Sequence, residues 1–585
     1  MLAAPGATVA RSRSGRRLLW VGGALVMAGC WSWLLVSALL ARGELASAEA
    51  EFKTVRTALR TGDPAAAEQA VDRAAADAAR AHRLTTGPLW WPVTRIPKAG
   101  APLLVLRETA SIADSLTRDA VVPGISTFRT LKAAGPEGAR NAAPMLLRAE
   151  AAARRAHARA EALPAETWSS TADNARTRLD TLLSPLPRAL GAAATAARFA
   201  PDLGGMHAGP RRYLAVFQSG AESRGSGGLP GAFALIRMDK GRPHFDRFVS
   251  NTEIDGIKAD PATVRALGRD YHARYDRFGT TELVGNSGMS PDFPSVARIW
   301  AGMWRSYAGQ QVDGVIALDP QVLASVLAVT GPAQLPDGER LDARNAVALT
   351  QRTAYARYTS TPARKRFFLD VGRAAAARIT AHEKSLLTPA GIDALASSVD
   401  GRRLLLWSAH PQMQRELERL GAAGSVPSGP GPYAGAVVNN AAAGKLDYYL
   451  DRSLTWHGGP TGQDGRRPVD VTVTLTNRAP RAGLPPYVTY RGDTHGPRSR
   501  PGDNRVLLSY YATHGARLES ATLDGRPVGI ETSVERGHPV YTVDVELAAG
   551  RDRVLTLGLS EPGVGAPEVL EQPLVRPSRV TVTTN

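Results

Sequence analysis

A run of 24 uncharged, mostly apolar residues near the start of the chain limits its fold more than any other feature. The run extends from Leu18 to Ala41. As a helix it would be about 36 Å long, enough to cross a hydrocarbon core of about 30 Å with some tilt. Four arginines precede it between residues 11 and 17, whereas only Arg42 follows closely. This bias predicts a cytoplasmic tail of residues 1–17, a transmembrane helix of residues 18–41 and an extracytoplasmic remainder.

Two processing signals compete with an uncleaved anchor. The sequence LASA at 45–48 is compatible with signal peptidase, and LVMAGC, which ends at Cys30, is close to a lipoprotein box. The apolar run is longer than an ordinary signal-peptide core, and further apolar residues follow Cys30, so an uncleaved anchor is expected. Cys30 is the only cysteine, which excludes an internal disulfide and a cysteine-based zinc site.

Length and charge set the remaining limits. A chain of 585 residues is long enough for several domains. The net charge is +17, and only 8 of the 71 basic residues are lysine, a bias typical of a GC-rich, actinobacteria-like genome. The charge is spread along the chain rather than gathered on one element with interleaved aromatic residues, so no nucleic acid is expected as a partner.

Residues 43–200 are rich in Ala, Arg, Glu and Leu, a composition that favours helices. Prolines and glycines interrupt this segment and predict a helical stalk or bundle with helices of about 15 to 25 residues. Asp63 and Pro64 fit the N-cap and first residue of one helix. The pair Trp90-Trp91 is expected to pack between helices or to lie near lipid headgroups.

Residues 208–424 alternate strand-like and helix-like runs, which predicts a central α/β domain. Two short strands, 213–217 and 232–238, flank a glycine-rich stretch at 225–231 that is interpreted as a loop. A strand is also predicted at 314–318, followed by a helix that begins at Asp319-Pro320. Further helices are predicted near 261–275, from about 341 to 359, and over the basic segment 362–384.

Beyond a Pro/Gly-rich stretch at 425–435, the pattern changes to short alternating strands. Four of them are predicted at 469–475, 506–511, 540–547 and 554–559, with a turn at Asp524-Gly525. This spacing indicates an immunoglobulin-like β-sandwich over residues 436–585. The expected fold class is therefore multidomain α+β: a single N-terminal transmembrane helix, a helical stalk or bundle, a central α/β domain and a C-terminal β-sandwich.

Several segments together resemble a known family. They are RYLAVFQSGAESRGSGGLPGAF at 212–233, NSGMSPDFP at 286–294, VDGVIALDP at 312–320 and KLDYYLDR at 445–452. These segments are similar to domain of unknown function 4012, a family of bacterial membrane-anchored envelope proteins without an established activity. The resemblance implies that the protein is part of the bacterial cell envelope.

A weaker resemblance links the central domain to the LytR-CpsA-Psr family of envelope glycopolymer ligases. Gly220, Glu222 and Arg224 have the spacing of that family's G-x-D-x-R turn, with Glu in place of Asp. The family's Arg-Ser-Asp falls on residues 229–231, which are Leu, Pro and Gly, and its Pro-Arg-Asp falls near 252–253. Two acids and an arginine expected around a metal and a pyrophosphate are thus missing or displaced.

The sequence contains candidate residues for an anion-binding site. The resemblance to the ligase family implies that Arg224, beside the glycine-rich turn, and a second basic cluster of Arg352, Arg364 and Arg366 converge on one anion site. Arginine suits such a site because its planar guanidinium grips phosphate oxygens with two donors. Glu222 is a candidate Mg²⁺ ligand.

Two function classes remain open. One is a non-catalytic binding or scaffolding protein of the envelope. The other is a LytR-CpsA-Psr-like enzyme that handles polyprenyl-pyrophosphate-linked glycopolymers. The expected partners are the lipid bilayer and a polyprenyl-phosphate-linked glycan or cell-wall polymer. The sequence has no G-x-S-x-G, H-E-x-x-H or Walker motif that would select a catalytic chemistry.

Overall fold

The computed structural model describes residues 13–61, 63–206, 209–386, 388–493 and 500–584. Within these ranges, the side chains of residues 13–26, 28, 59–61, 64, 125–140, 189 and 389 are outside the description. The chain forms two compact units, residues 1–201 and residues 202–585. Helices build the first unit, whereas the second unit combines helices with several sheets, so the mixed α+β, multidomain class is confirmed.

In its described residues, the first unit consists of helices joined by turns and short irregular segments, without strands. Its helices are α1 (Arg13–Thr61), α2 (Pro64–Thr85), α3 (Trp90–Val93), α4 (Ala101–Leu116), a π-helical segment (Thr117–Val121), α5 (Val122–Glu161), α6 (Ser170–Leu183) and α7 (Leu186–Leu203).

Local sequence signals explain where some of these helices begin, but not their lengths. Asp63 caps α2 as predicted, because its carboxylate accepts hydrogen bonds from the backbone N–H groups of Ala65 and Ala66 at 3.1 and 3.0 Å. Helices α1 and α5, at 49 and 40 residues, are much longer than predicted. Helix α5 also continues through Pro136, one of the prolines that were expected to interrupt the helices of residues 43–200.

The predicted transmembrane helix lies within α1. Among the described residues, no helix combines the length and the apolar character needed to cross a membrane. The side chains of residues 18–26 and 28, which belong to the predicted span, and the whole of residues 1–12 of the predicted tail lie outside the described residues.

A five-stranded sheet forms the centre of the α/β part of the second unit. Its order is β3-β2-β1-β4-β7, in which β1 and β4 run parallel and the other neighbours run antiparallel. The strands of this part are β1 (Arg211–Arg224), β2 (Gly227–Asp239), β3 (Arg242–Ser250), β4 (Gly314–Leu318), β5 (Ala333–Gln334), β6 (Arg340–Leu341) and β7 (Leu404–Ser408), with β5 and β6 forming a separate ribbon.

The predicted glycine-rich loop at 225–231 is wrong, because most of it is strand. Strands β1 and β2 pair as far as Arg224 and Gly227, so only Gly225 and Ser226 form the turn. A Cβ atom on Gly228 would lie 2.3 Å from the carbonyl oxygen of Ser219 on the neighbouring strand. Glycine is therefore required here for close packing of two strands rather than for a loop that surrounds a ligand.

Helices cover the sheet and connect its strands. They are α8 (Asn251–Ile254), α9 (Pro261–Ala266), α10 (Arg269–Tyr275), α11 (Phe293–Ala308), α12 (Pro320–Thr330), α13 (Ala346–Ala348), α14 (Ala354–Arg357), α15 (Thr361–Ala381), α16 (Glu383–Leu386), α17 (Pro389–Asp400) and α18 (Pro411–Arg419). Short 3-10 segments lie at Asp276–Phe278, Val284–Asn286 and Leu446–Tyr449, and a π-helical segment at Leu349–Thr353.

Several predicted helices are present with different boundaries. Strand β4 and the start of α12 match the prediction, and α15 corresponds to the predicted basic helix. The helix expected near 261–275 is divided at Gly268, whose φ of 86° is incompatible with a continuous helix. The helix expected at 341–359 consists of α13, the π-helical segment and α14.

Eleven strands of the described chain form a β-sandwich after residue 432. One sheet has the order β13-β12-β16-β10-β9-β18 and the other β14-β15-β11-β8-β17. They are β8 (Tyr433–Asn440), β9 (Leu450–Gly458), β10 (Arg466–Asn477), β11 (Asn504–Ala512), β12 (Arg517–Leu523), β13 (Arg526–Pro527), β14 (Glu531–Glu535), β15 (His538–Leu547), β16 (Asp552–Pro562), β17 (Glu568–Leu570) and β18 (Ser578–Thr584).

The sandwich contains the four strands predicted from the sequence, but it departs from an immunoglobulin-like arrangement. Strand β18 pairs parallel with β9, and β17 pairs parallel with β8, whereas immunoglobulin sheets are antiparallel. Side chains from both sheets, including Trp456 and Tyr510, share one buried core.

The sandwich and the α/β part share a buried polar contact region within the second unit. The carboxylate of Glu535 accepts hydrogen bonds from the hydroxyls of Tyr275 and Ser290 at 2.6 and 2.5 Å. Asp447 accepts two from Ser223, through the backbone N–H and the hydroxyl, both at 2.7 Å. The expected boundary at 425–435 is therefore a change of secondary structure within one compact unit.

Candidate functional site

The second unit contains a cavity of about 320 Å³ at the carboxyl ends of β1 and β4. Helix α12 begins immediately after β4, and α15 forms another wall. Residues from two loops of the β-sandwich, around 443–445 and 487–490, complete the lining. In α/β sheets, ligands bind outside the carboxyl ends of parallel strands, so the cavity has the position of a binding site.

Arg364 contributes a buried guanidinium to the cavity. Only 1% of its surface is exposed. It donates hydrogen bonds to the carbonyl oxygen of Tyr358 at 2.9 Å and to the hydroxyl of Thr361 at 3.1 Å. Its Cζ atom lies 3.4 Å from the centre of the Tyr487 ring, a cation–π contact that fixes the guanidinium plane.

Lys365, the next residue of α15, also lines the cavity. Its ammonium donates a hydrogen bond to the side-chain oxygen of Asn251. Burial, together with the nearby charges of Lys445 and Arg364, lowers the pKa of Lys365 from 10.5 to about 8. The fold thus holds this ammonium where its charge is costly.

Glu222 and Lys445 form a buried ion pair at the edge of the same cavity. The other carboxylate oxygen of Glu222 accepts a hydrogen bond from Arg224 at 3.0 Å. Burial alone would raise the pKa of Glu222, but Lys445 and Arg224 outweigh it and hold that pKa below its usual value. Burial alone would lower the pKa of Lys445. The charge of Glu222 outweighs burial, so the pKa of Lys445 is raised above its usual value.

Asp319 is the other carboxylate of the cavity wall, and both of its oxygens already accept hydrogen bonds from the protein. It accepts hydrogen bonds from the N–H groups of Gln321 and Val322 at 2.9 and 3.0 Å and so caps α12. Its second oxygen lies 2.5 Å from a guanidinium nitrogen of Arg403. Burial raises the pKa of Asp319 despite this partner.

The charges of the cavity do not balance. Glu222 and Asp319 are engaged with Lys445, Arg224 and Arg403, as described above. Arg364 and Lys365 form no ion pair with any residue in the described ranges. Two cationic groups therefore face a partly enclosed space without a carboxylate partner.

The rest of the lining is apolar and aromatic. The Tyr355 ring stacks on Tyr487 with a centroid distance of 5.8 Å, and its hydroxyl lies 3.1 Å from that of Ser219. Burial raises the pKa of Tyr355, so the phenol stays neutral. Four further apolar side chains line the space: Phe217, Leu323, Phe368 and Val371. The site combines two cations with a wall suited to an apolar group.

The four arginines predicted to converge do not converge. Of these, only Arg364 lines the cavity. Arg224 is the last residue of β1, and its buried guanidinium donates to the carbonyl oxygen of Gly285 at 2.7 Å and to Glu222. Arg352 and Arg366 are exposed. Arg366 follows Arg364 by two residues, or about 200° around the helix, so both cannot face the same cavity.

The predicted role of Glu222 as a Mg²⁺ ligand has no geometric support. Each of its carboxylate oxygens contacts a cationic side chain. Across the described ranges, no group of three or more His, Cys, Asp or Glu side chains is arranged to hold a metal ion.

Sequence reasoning missed three residues that define the cavity: Lys365, Lys445 and Tyr487. Lys365 lies between Arg364 and Arg366 in the basic segment 362–384, for which only the arginines were predicted to bind a ligand. The one sequence signal that could have identified Lys365 is its residue type, because lysine is rare in this chain and its neighbours are arginines. Lys445 and Tyr487 come from the β-sandwich and reach the α/β part only through the tertiary fold.

These features define a class: a helical unit joined in sequence to an α/β and β-sandwich unit with a cationic, partly apolar cavity. Within this class, residues 208–355 match the model of the family described as protein of unknown function (DUF4012), and we assign this segment to that family. The resemblance seen in the sequence is thereby confirmed, whereas similarity to the LytR-CpsA-Psr ligases is not shown. No curated protein matches the chain. The matched segment includes the β1, β2 and α12 walls and ends at Tyr355, before α15.

Proposed function

We propose that this protein is a membrane-anchored, extracytoplasmic component of the bacterial cell envelope that binds an anionic ligand in the cavity of its second unit without transforming it. The observation that carries the proposal is the pair Arg364 and Lys365, held at a cavity wall without a carboxylate partner. An anion placed between them would supply the missing charge.

The energetic cost of this arrangement supports a role in binding. Burial lowers the pKa of Lys365 from 10.5 to about 8, which corresponds to a cost of about 3 kcal/mol for keeping the ammonium charged. In the described residues, this position offers the ammonium one hydrogen bond, to Asn251, and the charges of Glu222 and Asp255 beyond ion-pair distance, which together do not offset the cost of burial. Groups with shifted pKa values that face a cleft are characteristic of functional sites.

The lining indicates the kind of anion. Arg364 offers a planar donor fixed by Tyr487, and Lys365 a compact charge, a combination that suits phosphate or carboxylate oxygens. Phe368 and Val371 on α15 extend the same wall with apolar surface. A ligand with an anionic head and an apolar portion would contact both parts.

Exposed apolar side chains on α1 support the membrane anchor. Between residues 27 and 40, seven large apolar side chains are exposed: Met27, Trp31, Trp33, Leu35, Val36, Leu39 and Leu40. A contiguous patch of this kind marks a contact with lipid or with another protein. Lipid agrees with the uncharged run of 24 residues and with the arginines that precede it.

The state of the polar groups in the cavity supports binding rather than catalysis. The hydroxyl of Ser219 contacts Tyr355 and Gln351, neither of which is a base at neutral pH. Glu222 is engaged by two cations. Neither histidine nor cysteine is among the described residues of the lining.

Calorimetric titration of the full-length protein in detergent tests the proposal, with inorganic pyrophosphate and decyl phosphate as probes. Wild-type protein is expected to bind decyl phosphate more tightly than pyrophosphate, because the apolar wall adds contact. Arg364→Met should weaken binding about 10- to 100-fold, the loss expected for hydrogen bonds to a charged group. Arg366→Met, on the same helix but exposed, is the matched control and should bind like wild type. Equal affinity of all three proteins would contradict the proposal.

A second function, LytR-CpsA-Psr-like handling of polyprenyl-pyrophosphate-linked glycopolymers, is favoured by one observation: the apolar wall lies directly beside the two cations. The two functions differ in their need for a metal. If Mg²⁺ together with a lipid pyrophosphate raises the melting temperature more than the lipid alone, the transfer function is supported. If Mg²⁺ has no effect, binding without transfer is supported.

A further inference from the structure

We propose that residues 87–100, together with Trp168, form a second membrane-contact surface that rests on the outer leaflet beside α1. This inference rests on the membrane anchor proposed above. It concerns the first unit alone and is independent of the cavity. The partner is the interfacial region of a phospholipid bilayer.

The antiparallel packing of α1 and α2 brings this segment back to the predicted span. Ser47 donates to Asp77 at 2.6 Å, and Arg80 to Glu44 at 2.8 Å, so the end of α2 approaches the part of α1 near residue 40. Trp90 is buried, and its indole N–H donates to the hydroxyl of Ser37 at 3.2 Å. The short helix α3 is therefore fixed beside the predicted transmembrane run.

The depth of Ser37 places this contact near the membrane surface. Ser37 follows Leu18, the first residue of the run, by 19 positions, which is about 29 Å along a helix. The hydrocarbon core is about 30 Å thick. A span that begins at Leu18 would thus reach the opposite headgroup boundary near Ser37, the level at which Trp90 packs.

Large apolar side chains project from the segment at this level. Trp91 is 53% exposed and Ile96 is 46% exposed. Trp168, which is 72% exposed, is joined to the segment because its indole N–H donates to the carbonyl oxygen of Ala99 at 3.1 Å. In a purely aqueous environment this exposure would be unfavourable. Tryptophan is enriched at membrane interfaces, where the ring is buried and the N–H remains hydrated.

Cations accompany these side chains. The guanidinium carbon of Arg95 lies 3.7 Å from the centre of the Trp91 ring. Lys98 is exposed on the same segment. Arginine and lysine next to interfacial aromatic residues are placed to contact lipid phosphates. The surface thus pairs apolar groups with positive charge, as an anionic lipid interface requires.

The segment is folded tightly enough to present these groups in a fixed arrangement. The N–H of Thr94 donates to the carbonyl oxygen of Trp90 at 3.0 Å, and that of Gly100 to Ile96 at 2.9 Å. A Cβ atom on Gly100 would lie 2.1 Å from the carbonyl oxygen of Val93, so the backbone closes on itself here.

Fluorescent labelling of the full-length protein tests this surface. In a Cys30→Ala background, Trp91→Cys, Ile96→Cys and Ala65→Cys each receive an environment-sensitive label, and the proteins are reconstituted into phosphatidylglycerol-containing vesicles. Ala65 is exposed at the start of α2, more than about 30 Å from Ser37 along the helix pair, and is the control. Labels at 91 and 96 should show blue-shifted emission and several-fold stronger quenching by spin-labelled lipid than the label at 65.

Two outcomes would overturn the inference in different ways. If the protein floats with the vesicles but labels at 91 and 96 behave like the label at 65, the anchor stands and the second contact surface is refuted. If the protein does not float with the vesicles, the proposed anchor fails, and this inference fails with it. Using two labelled positions guards against a local effect of either substitution.

Discussion

Arg364, Lys365 and Arg366 follow one another on α15, yet they occupy three different environments. Arg364 is stacked on Tyr487 and buried, Lys365 is held in the cavity with a lowered pKa, and Arg366 is exposed. The difference arises from the 100° rotation between successive helical residues. The density of positive charge in the sequence therefore indicated the correct helix. The direction of each side chain decides which of its cations line the cavity.

The lowered pKa of Lys365 makes the stability of the protein depend on pH. The folded-state pKa of about 8 lies below 10.5, so the folded protein binds fewer protons than the unfolded chain between these values. Stability should therefore rise as the pH increases from about 8 to 10.5, and the full penalty is present below pH 8. Lys365→Met removes the charge and keeps the length of the side chain. It should stabilise the protein at pH 7 by up to about 3 kcal/mol.

Thermal and denaturant unfolding at pH 7 and pH 10.5 measure this effect. The gain of Lys365→Met over wild type should shrink towards zero at the higher pH, whereas Arg366→Met should be close to neutral at both. A variant that is less stable than wild type at pH 7 would show that Lys365 serves the fold rather than a ligand.

At the scale of elements, the β1–β2 hairpin shows why a glycine-rich sequence need not be a ligand loop. A Cβ atom on Gly225 would lie 2.1 Å from the carbonyl oxygen of Met289, so the turn is packed directly against a neighbouring segment. The N–H of Gly225 donates to the side-chain oxygen of Asn439 in the sandwich at 3.0 Å. The glycines allow backbones to approach one another.

A matched pair of substitutions tests this explanation. Gly225→Ala forces a clash with backbone atoms and should destabilise the second unit by more than about 2 kcal/mol, as overpacking does. Gly231→Ala lies in the same stretch, but its new methyl group would meet only ordinary contact at 3.6 Å, so its effect should stay within about 0.5 kcal/mol. Chemical denaturation gives both values. Equal destabilisation of the two variants would contradict the packing explanation.

The sequence was informative where local signals act and uninformative where tertiary contacts decide. Asp63 and Asp319 marked helix starts because N-caps act within three residues. Strand β4 was predicted because a short apolar run between polar residues is a local pattern. The pairing of residues 227–231 with β1 was missed, since glycine content suggests a loop unless the partner strand is known.

At the scale of the whole molecule, the candidate site depends on two parts of the second unit that the sequence presents as separate domains. Arg364 and Lys365 come from the α/β part, whereas Lys445 and Tyr487 come from loops of the β-sandwich. Arg364 was predicted from a basic helix alone. Its stacking partner Tyr487 lies more than a hundred residues away in the chain, so local sequence patterns do not predict this contact.

The measurement that tests the central claim most directly is the proton uptake that accompanies anion binding. Titrations of the full-length protein with inorganic pyrophosphate at pH 8, in two buffers of different ionisation enthalpy, report the protons taken up. Because Lys365 has a pKa of about 8, it is about half protonated before binding, and a bound anion should complete its protonation, an uptake of about 0.5 proton.

The pyrophosphate contributes its own protonation change, so variants isolate the contribution of the protein. We expect Arg366→Met to keep the wild-type uptake, whereas Lys365→Met should bind more weakly and take up about 0.5 proton fewer. Identical uptake and affinity in wild type, Lys365→Met and Arg366→Met would show that the anion does not bind beside Lys365 and would contradict the account.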